Sequence, residues 1–327
     1  MANPFCPTTI TAKTFEEQAL AVFVHQYTYN MVYRRWCELM EQSPATVKNI
    51  TDIPFLPVQS FKQQAVICQY NHEPLPKLWF ESSTTSGQTP SKHYIYDEQV
   101  YLDTLREGFE LAYGNVKQYA ILGLLPSYLE RGQSSLVYMV NDLMQESGHA
   151  LNGFYLNNTA ALAETLKTLE AQQQATLLFG VTYALLDFAD AYPMPLQYTH
   201  IIETGGMKGR KKEMIRAEVH ARLQAQFGPQ PIHSEYGMTE LLSQAYSKGN
   251  GLFTCPPWMK ILLRDRNDPR HILHHGRGLV NCIDLANYHS CSFLAIDDIA
   301  VVHESGEFEI LGRADSAEVR GCSLLAP

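Results

Sequence analysis

A run rich in small hydroxyl side chains lies between Glu81 and Lys92 and has the composition of an anion-binding loop. Seven of its twelve residues are Ser or Thr, and Gly and Pro interrupt it. Glycine lets the backbone turn sharply, so that several N–H groups can point at one phosphate, and Lys92 adds a point charge. An ordinary surface turn is the alternative for this run taken alone. It is not a Walker A loop, because no Gly-x-x-x-x-Gly-Lys-Ser/Thr sequence occurs in the chain.

Five further polar stretches, most of them containing Gly, follow downstream. They are residues 203–209, 235–240, 296–298, 312–315 and 320–322. Taken singly, Gly205-Gly206 is interpreted as a turn before a helix, Thr239 as a helix cap and Asp297-Asp298 as a solvated turn. In a parallel α/β sheet, however, ligands bind at the carboxyl ends of the strands, and several of these stretches follow predicted strands.

Short apolar runs alternate with helical segments over the first 250 residues. The predicted strands are 78–81, 119–125, 148–155, 175–180, 200–203 and 232–236, and the predicted helices are 14–42, 97–112, 135–143, 159–173, 182–192 and 211–227. This alternation predicts an α/β core over residues 1–250 with layered subdomains and a largely parallel sheet. Shorter alternating runs predict a mostly β subdomain over 251–311, with a hairpin at Ser305-Gly306, and a hinge-like tail over 312–327.

Composition and charge exclude several other classes of protein. The chain has 327 residues, of which 45% are hydrophobic, enough for a sizeable core. A net charge of −9 argues against a non-specific nucleic-acid binder. Seven scattered cysteines without a C-x-x-C pair argue against disulfides and structural zinc, and favour a reducing cytoplasm. We expect no signal peptide and no membrane span, because no long apolar run is present.

The order of these stretches resembles that of the acyl-adenylate-forming superfamily, which includes acyl-CoA ligases, firefly luciferase and nonribosomal adenylation domains. In that superfamily a Ser/Thr/Gly-rich loop ending in Lys precedes a Gly-Gly loop, a Tyr-Gly-x-Thr-Glu motif, a ribose-binding Asp and a Gly-Arg-x-Asp hinge. The matching stretches here are Ser82–Lys92, Gly205-Gly206, Tyr236–Glu240, Asp298 and Gly312–Asp315.

A closer resemblance is to the acyl-protein synthetases, the ligase component of the fatty-acid reductase in bacterial luminescence operons, and it covers nearly the whole chain. The segments that carry it are 53–57 with Phe61-Lys62, 124–131, 203–210, 235–242, 311–313 and 319–322. This resemblance implies that ATP, with Mg²⁺, activates a carboxylic acid, a fatty acid in such a family, as an acyl adenylate. An adenylate-forming N-terminal domain without the mobile C-terminal domain of most superfamily members is the fold that it implies, in accord with a chain that stops at Pro327.

The resemblance also implies roles for individual residues. The implied catalytic residues are Cys322, Thr239, Glu240 and Lys92, with Glu240 as the Mg²⁺ ligand. Those implied to contact the nucleotide are Ser83, Thr84, Thr85, Ser86, Gly87, Gly205, Gly206, Tyr236, Gly237, Asp298 and Arg313. Phe179, Gly180 and Val181 are implied to line the acyl pocket. In acyl-protein synthetases a cysteine near the C-terminus accepts the acyl group as a thioester, which here matches Cys322, beside the cationic Arg320.

Three departures and two alternatives qualify these expectations. Thr84 and Ser86-Gly87 stand where relatives have Gly and Thr-Gly, Asp297 replaces a Gly, and the catalytic Lys of the C-terminal domain has no counterpart. One alternative is a stand-alone acyl- or aryl-adenylating ligase that delivers to CoA or a carrier protein, and then Cys322 is incidental, a small semi-buried residue in a last strand. The other is a catalytically degenerate nucleotide-binding protein. The expected partners are therefore a carboxylic acid and an acyl-acceptor protein (a reductase or a carrier protein) or CoA.

Overall fold

One of the two six-stranded sheets of the protein, here called the parallel sheet, is almost entirely parallel. The structure, a computed structural model, describes residues 6–70, 74–83, 89–126, 133–205, 214–266, 268 and 270–314. In the parallel sheet the strands run in the order β5-β4-β6-β7-β8-β9, and only the edge strand β9 is antiparallel. They are β4 (Ala120–Leu124), β5 (Gly153–Phe154), β6 (Thr176–Val181), β7 (Thr199–Thr204), β8 (His233–Tyr236) and β9 (Ala245–Ser247). Every residue of β4 and β6 is buried, as expected for strands covered on both faces.

Helices connect these parallel strands, apart from the first helix, which precedes them. They are α4 (Glu98–Tyr113), α5 (Ser135–Ser147), α6 (Thr159–Ala171), α7 (Thr182–Ala191) and α8 (Arg216–Phe227). Side-chain oxygens of Asp97, Ser134 and Asn158 cap the first three of them. Gly148 ends α5 in the left-handed region at φ 65°, and a turn follows it. The strand predicted over 148–155 is therefore confined to Gly153–Phe154.

The other six-stranded sheet, here called the antiparallel sheet, is mostly antiparallel. Its strands run in the order β1-β13-β12-β10-β11, and β14 pairs with β13. They are β1 (Leu56–Pro57), β10 (Met259–Arg264), β11 (Ile272–Leu273), β12 (Gly276–Asp284), β13 (Phe293–Val302) and β14 (Phe308–Arg313). The hairpin predicted at Ser305-Gly306 is confirmed, since Val301 pairs with Glu309 across it. The N-terminal segment completes this sheet, because β1 pairs in parallel with β13.

The helix predicted over residues 14–42 is wrong in one respect, because two helices occupy that range. They are α1 (Phe15–Tyr29) and α2 (Met31–Leu39), and Asn30 separates them in an extended conformation. The Asn30 side chain accepts from the Tyr33 N–H at 3.0 Å and donates to the Ser290 carbonyl at 2.9 Å. This long-range bond favours the break, which helical periodicity alone does not reveal.

A two-stranded hairpin presents the Ser/Thr-rich run. The hairpin joins β2 (Trp79–Glu81) to β3 (Lys92–Tyr94), and a short helix, α3 (Ser60–Gln63), packs beside β3. Among the described residues, no helix is both long enough and apolar enough to cross a membrane. The mixed α/β architecture predicted from the sequence is confirmed.

Candidate functional site

The Tyr236–Glu240 motif begins at the end of β8, at the edge where the parallel strands have their carboxyl ends. The neighbouring strand β7 ends at Thr204, which pairs with Glu235. The Tyr236 ring is buried edge-on against Phe253 and Phe308. The position agrees with the general rule for ligand sites in open α/β sheets.

Tyr236, Asp298 and Arg313 meet at this edge. The Tyr236 hydroxyl donates to Oδ2 of Asp298 at 3.0 Å, although the two residues are 62 positions apart. Asp298 pairs with Arg313 across β13 and β14, and the Arg313 Nε lies 3.4 Å from its Oδ1. Burial raises the pKa of Asp298, and the Arg313 charge and the Tyr236 hydroxyl oppose that rise. The arrangement is a buried carboxylate acceptor beside an exposed guanidinium.

Glu240 lies at the junction between the hairpin, the motif and the antiparallel sheet. It is only 5% exposed. Burial raises the pKa of Glu240, while the Ser91 hydroxyl and the charges of Arg313 and Lys62 lower it. Ser91 directly precedes Lys92, so the structure brings the Lys92 end of the hairpin to the Glu240 carboxylate. Lys62 and Ser91 were not identified as site residues from the sequence.

His93 fixes the backbone of the motif to the hairpin. Its Nδ1 lies 2.8 Å from the Thr239 carbonyl oxygen, which can only accept, so this nitrogen carries the proton. Burial lowers the pKa of His93 to about 4, so the ring is neutral at neutral pH. On the other side of the motif, the Asn287 amide donates to the Glu240 carbonyl at 2.9 Å. A histidine inside a short strand gave no sequence signal for this role.

Asp284 anchors the residues that follow Glu240. Its carboxylate is fully buried and accepts from the N–H groups of Leu242 and Ser243 at 2.9 and 3.0 Å. The Ser243 hydroxyl donates to it at 2.6 Å, and the Trp258 indole donates in turn to that hydroxyl at 2.9 Å. Asp284 at the end of β12 therefore ties the motif to the antiparallel sheet.

Lys92 is held loosely at the start of β3. Its ammonium lies 3.3 Å from the Glu81 carboxylate and 5.5 Å from the centre of the Trp79 ring. The Lys92 side chain is 46% exposed. An ion pair at such a position contributes at most about 1 kcal/mol, so an incoming anion can compete for the ammonium.

Several predicted site residues lie outside the described residues. They are Thr84, Thr85, Ser86, Gly87, Gly206 and Cys322. Ser83 is described and exposed. The ends of the run are fixed by Ser82 and Ser91, since the Ser91 N–H donates to the Ser82 hydroxyl at 2.9 Å and the Ser82 N–H to the Ser91 carbonyl at 3.1 Å.

Gly205 follows β7 in the left-handed region, at φ 72°. Its carbonyl accepts from the hydroxyl of Thr182, the first residue of α7. A residue with a side chain would be strained in this conformation. The backbone conformation at the edge of the sheet therefore favours glycine at position 205. This requirement is compatible with the predicted contact between Gly205 and a nucleotide.

A buried ionic network under Gly205 was not anticipated from the sequence. Its centre is Glu203, which accepts from Ser234 Oγ at 2.8 Å and Arg216 Nε at 3.0 Å, with His220 Nε2 at 3.7 Å. Burial alone would raise the pKa of Glu203, but His220, Arg216 and Ser234 outweigh it and hold the pKa at about 2. The only sequence signal is an acidic residue near the end of an apolar strand.

Arg216 links the two sheets at the site. It donates to Glu203 and, through NH1, to the Ile310 carbonyl of β14 at 3.1 Å. Its guanidinium lies 4.9 Å from the centre of the Phe253 ring, which packs on Tyr236. Arg216 therefore packs on Phe253 and so helps to fix the aromatic ring that contacts Tyr236.

The buried carboxyl group of Glu235 favours its neutral form, whereas that of Glu203 favours its charged form. The Thr204 hydroxyl donates to Glu235 Oε2 at 2.6 Å. Burial and the nearby Glu203 charge raise the pKa of Glu235 to about 7. The other carboxyl oxygen, Oε1, would lie 2.2 Å from a Cβ placed on Gly237, so no side chain fits there without movement. Gly237 is thus required for packing within the motif.

Wild type is expected to lose stability as pH rises from 5 to 7, and replacing Glu235 by Gln should remove this loss. An acid whose pKa rises on folding stabilises the fold below its unfolded value, and that contribution disappears as pH rises through the folded pKa of about 7. Over this interval wild type should lose on the order of 2 kcal/mol relative to the Gln variant. Urea unfolding at several pH values measures the difference, and the exposed Glu164→Gln is the control. Parallel profiles for wild type and Glu235→Gln would contradict the prediction.

Phe179, Gly180 and Val181 form the carboxyl end of β6. The Phe179 side chain is fully buried in the core, and Val181 is 6% exposed. A Cβ on Gly180 would lie 2.6 Å from Leu185 Cγ, so glycine permits the close approach between β6 and α7. Packing in the core thus accounts for the identities of these residues. Their contact with an acyl group stays a prediction.

The N-terminal part of the chain matches a known family. Residues 4–106 match the model of the family described as acyl-protein synthetase, LuxE. The resemblance inferred from the sequence is therefore confirmed over roughly the first third of the chain. No curated protein matches the chain significantly.

Several solved structures share the fold. A 2-hydroxyisobutyryl-CoA ligase in the postadenylation state, in complex with R3-HIB-AMP, has a TM-score of 0.66 at 12% identity and covers 94% of this chain and 70% of its own. ATP-bound MatB from Rhodopseudomonas palustris has a TM-score of 0.55 at 14% identity, with 74% of this chain and 49% of that chain covered. The amide bond synthetase McbA from Marinactinospora thermotolerans has a TM-score of 0.52 at 15% identity, with 75% and 51% covered.

These likenesses confirm the predicted fold class, that of the N-terminal domain of adenylate-forming enzymes. At such low identities they establish the fold alone. The matching region spans about half the length of MatB and of McbA.

Proposed function

We propose that this chain, similar to acyl-protein synthetases over its first hundred residues, activates a carboxylic acid with ATP. The carboxylate attacks the α-phosphorus of ATP, forming an acyl adenylate and releasing pyrophosphate. The observation that carries this proposal is the convergence of the Tyr236–Glu240 motif with Asp298 and Arg313 at the carboxyl edge of the parallel sheet. Catalysis in such a site consists of positioning and of stabilising charge on the phosphates.

On the nucleoside side, Asp298 would accept hydrogen bonds from the ribose hydroxyls. A carboxylate has about four lone-pair positions, and the Tyr236 hydroxyl takes one, while Arg313 forms an ion pair with the other oxygen, so acceptor capacity remains for a ribose. The Tyr236 ring would pack on adenine. Its own environment of Phe253 and Phe308 fixes the ring plane, which limits the entropy lost on binding.

On the phosphate side, Lys92 and the hydroxyl-rich run 83–87 would contact the β- and γ-phosphates, and Thr239 the α-phosphate. Glu240 would hold Mg²⁺, whose charge offsets that of the phosphates. Within the described residues no group of three or more His, Cys, Asp or Glu side chains could bind a metal ion by itself. This fits Mg²⁺, which commonly binds through one or two carboxylates together with substrate phosphates and water.

We further propose that the acid is a fatty acid and that the acyl group passes to Cys322. The thiolate would attack the acyl carbonyl, form a thioester and release AMP. The match to acyl-protein synthetases favours this acceptor. The likeness to a CoA ligase over 94% of the chain favours the alternative, in which CoA or a carrier protein receives the acyl group directly.

Acid-dependent exchange of pyrophosphate into ATP tests the adenylation step. We expect exchange with at least one member of a panel of short, long and aromatic acids, and none without acid. A degenerate nucleotide-binding protein gives no exchange with any of them. With labelled acid and ATP but no CoA, a hydroxylamine-labile label on the protein favours acyl transfer to a cysteine.

Replacing Lys92 by Ala is expected to lower kcat/KM for ATP in the exchange reaction by about tenfold or more, because a phosphate-binding charge is lost. Stability should change little, since the Lys92–Glu81 pair is half exposed. Glu81→Gln is the matched control, because it removes the same ion pair but keeps the ammonium. Exchange kinetics unchanged in Lys92→Ala would return the run 82–92 to the interpretation as a surface turn.

A further inference from the structure

A cavity of about 400 Å³ lies between α2, the segment 51–59 and the antiparallel sheet. Its volume falls within the range of about 300–1,000 Å³ that is typical of small-molecule sites. One wall is apolar and includes Trp36, Met40, Phe55 and Ile272. None of the residues predicted for the nucleotide, the acyl group or the metal ion lines it.

A buried guanidinium forms the floor of the cavity. The Arg264 side chain is 10% exposed. Its NH1 donates to the Val280 carbonyl and, at 2.9 Å, to Asn281 Oδ1, and its NH2 donates to the Ile296 carbonyl at 2.8 Å. Within the described residues its Nε–H has no acceptor, and its Nη2 forms an ion pair at 3.6 Å with the Asp297 carboxylate, at a distance beyond hydrogen-bond range.

Asn281 adds a second donor to this floor. It is 1% exposed, and its Oδ1 faces a guanidinium that can only donate, which fixes the orientation of the amide. The Nδ2 group therefore lines the cavity, and no acceptor for it occurs in the part of the chain that the structure describes. Asp297, the nearby carboxylate, is held by the Gln59 side chain. Within the described residues, the floor thus offers N–H groups that line the cavity and have no acceptor in the protein.

The geometry points to a binding site for a small amphipathic carboxylate, with its head on Arg264 and Asn281 and its apolar body against Trp36, Phe55 and Ile272. An anionic acceptor would form hydrogen bonds with these donors. Such bonds contribute more binding free energy in a cavity than at the open surface. A neutral apolar ligand would leave them unsatisfied, and a bare inorganic anion would leave the apolar wall uncovered.

This site is separate from the candidate nucleotide site. Ala295 and Asp297 of β13 face the cavity, whereas Asp298, which pairs with Tyr236 and Arg313, is the next residue along the strand. Because successive side chains of a strand point to opposite faces, the two sites lie on opposite sides of β13.

Binding of 4-phenylbutyrate in the absence of ATP tests the site. The probe should bind saturably with a Kd at or below about 1 mM, change the fluorescence of Trp36, and bind at least about tenfold more tightly than the neutral 4-phenylbutyramide. The fluorescence change should disappear in Trp36→Phe, while calorimetry still detects binding. Inorganic phosphate should not compete.

Two variants locate the probe without removing Arg264. Asn281→Asp keeps the acceptor for Arg264 but replaces the free amide donor by a negative oxygen, so it should weaken binding by tenfold or more. Ile272→Trp should block binding by filling the cavity. Asp298→Asn should leave binding unchanged. No saturable binding, binding unaffected by both cavity variants, or binding lost in Asp298→Asn would overturn the proposal.

Discussion

Replacing Glu240 by Gln is expected to reduce acid-dependent ATP–pyrophosphate exchange by about a hundredfold or more, the cost typical of losing one charge-stabilising contact in the transition state. Gln keeps the size of the side chain but removes the negative charge that would hold Mg²⁺. Burial makes the loss large, because Glu240 is 5% exposed and a buried charge interacts strongly with a nearby cation. Exchange measured over a range of Mg²⁺ concentrations gives the result.

The fold of the Glu240 variant should remain intact. The backbone at this position is held by His93 at the Thr239 carbonyl and by Asn287 at the Glu240 carbonyl, and neither bond uses the carboxylate. Removing a buried acid whose pKa is raised by burial also removes a desolvation cost. Thermal unfolding should therefore change little. Glu307→Gln in the β13–β14 turn is the matched control. Wild-type exchange with unaltered Mg²⁺ dependence in Glu240→Gln would refute a role for this residue in metal binding.

The sequence predicted the α/β architecture because its signals are local. Apolar runs such as those of β4 and β6 are buried on both faces, and their lengths match the strands found. Caps such as Asp97 and the Gly at position 148 mark helix ends in the sequence itself. The break at Asn30 was missed because its side chain is satisfied by Ser290, 260 residues away.

The site was only partly predictable for the same physical reason. Motif order identified Tyr236 and Asp298, and the structure shows that their side chains meet at 3.0 Å. Sequence reasoning missed the Glu203–Arg216 network, because its partners come from β7, β8, α7 and α8 and none forms a motif with another. His93 was missed likewise. Long-range polar contacts depend on strand order and register, which residue types alone do not specify.

The second large effect is expected on replacing Cys322, the proposed acyl acceptor. Cys322→Ser should abolish the hydroxylamine-labile acyl label on the protein while acid-dependent exchange continues at close to the wild-type rate. Adenylation precedes the thioester step and does not need the thiol, and Ser at neutral pH is a much weaker nucleophile than a thiolate. Arg320, two residues away in the sequence, would favour the thiolate form of Cys322. Intact-protein mass spectrometry with acid and ATP measures the adduct.

The described cysteines make the alternative acceptors distinguishable. Burial raises the pKa of Cys37, Cys68 and Cys255 to about 12, and burial likewise raises that of Cys282 and Cys291. Such thiols are poor nucleophiles at neutral pH, because almost none of each is thiolate. Cys6 is exposed, so Cys6→Ser is the matched control and should keep the label. A label that survives in Cys322→Ser and disappears in Cys6→Ser would transfer the role to the N-terminus, and loss of exchange in Cys322→Ser would refute the separation of the two steps.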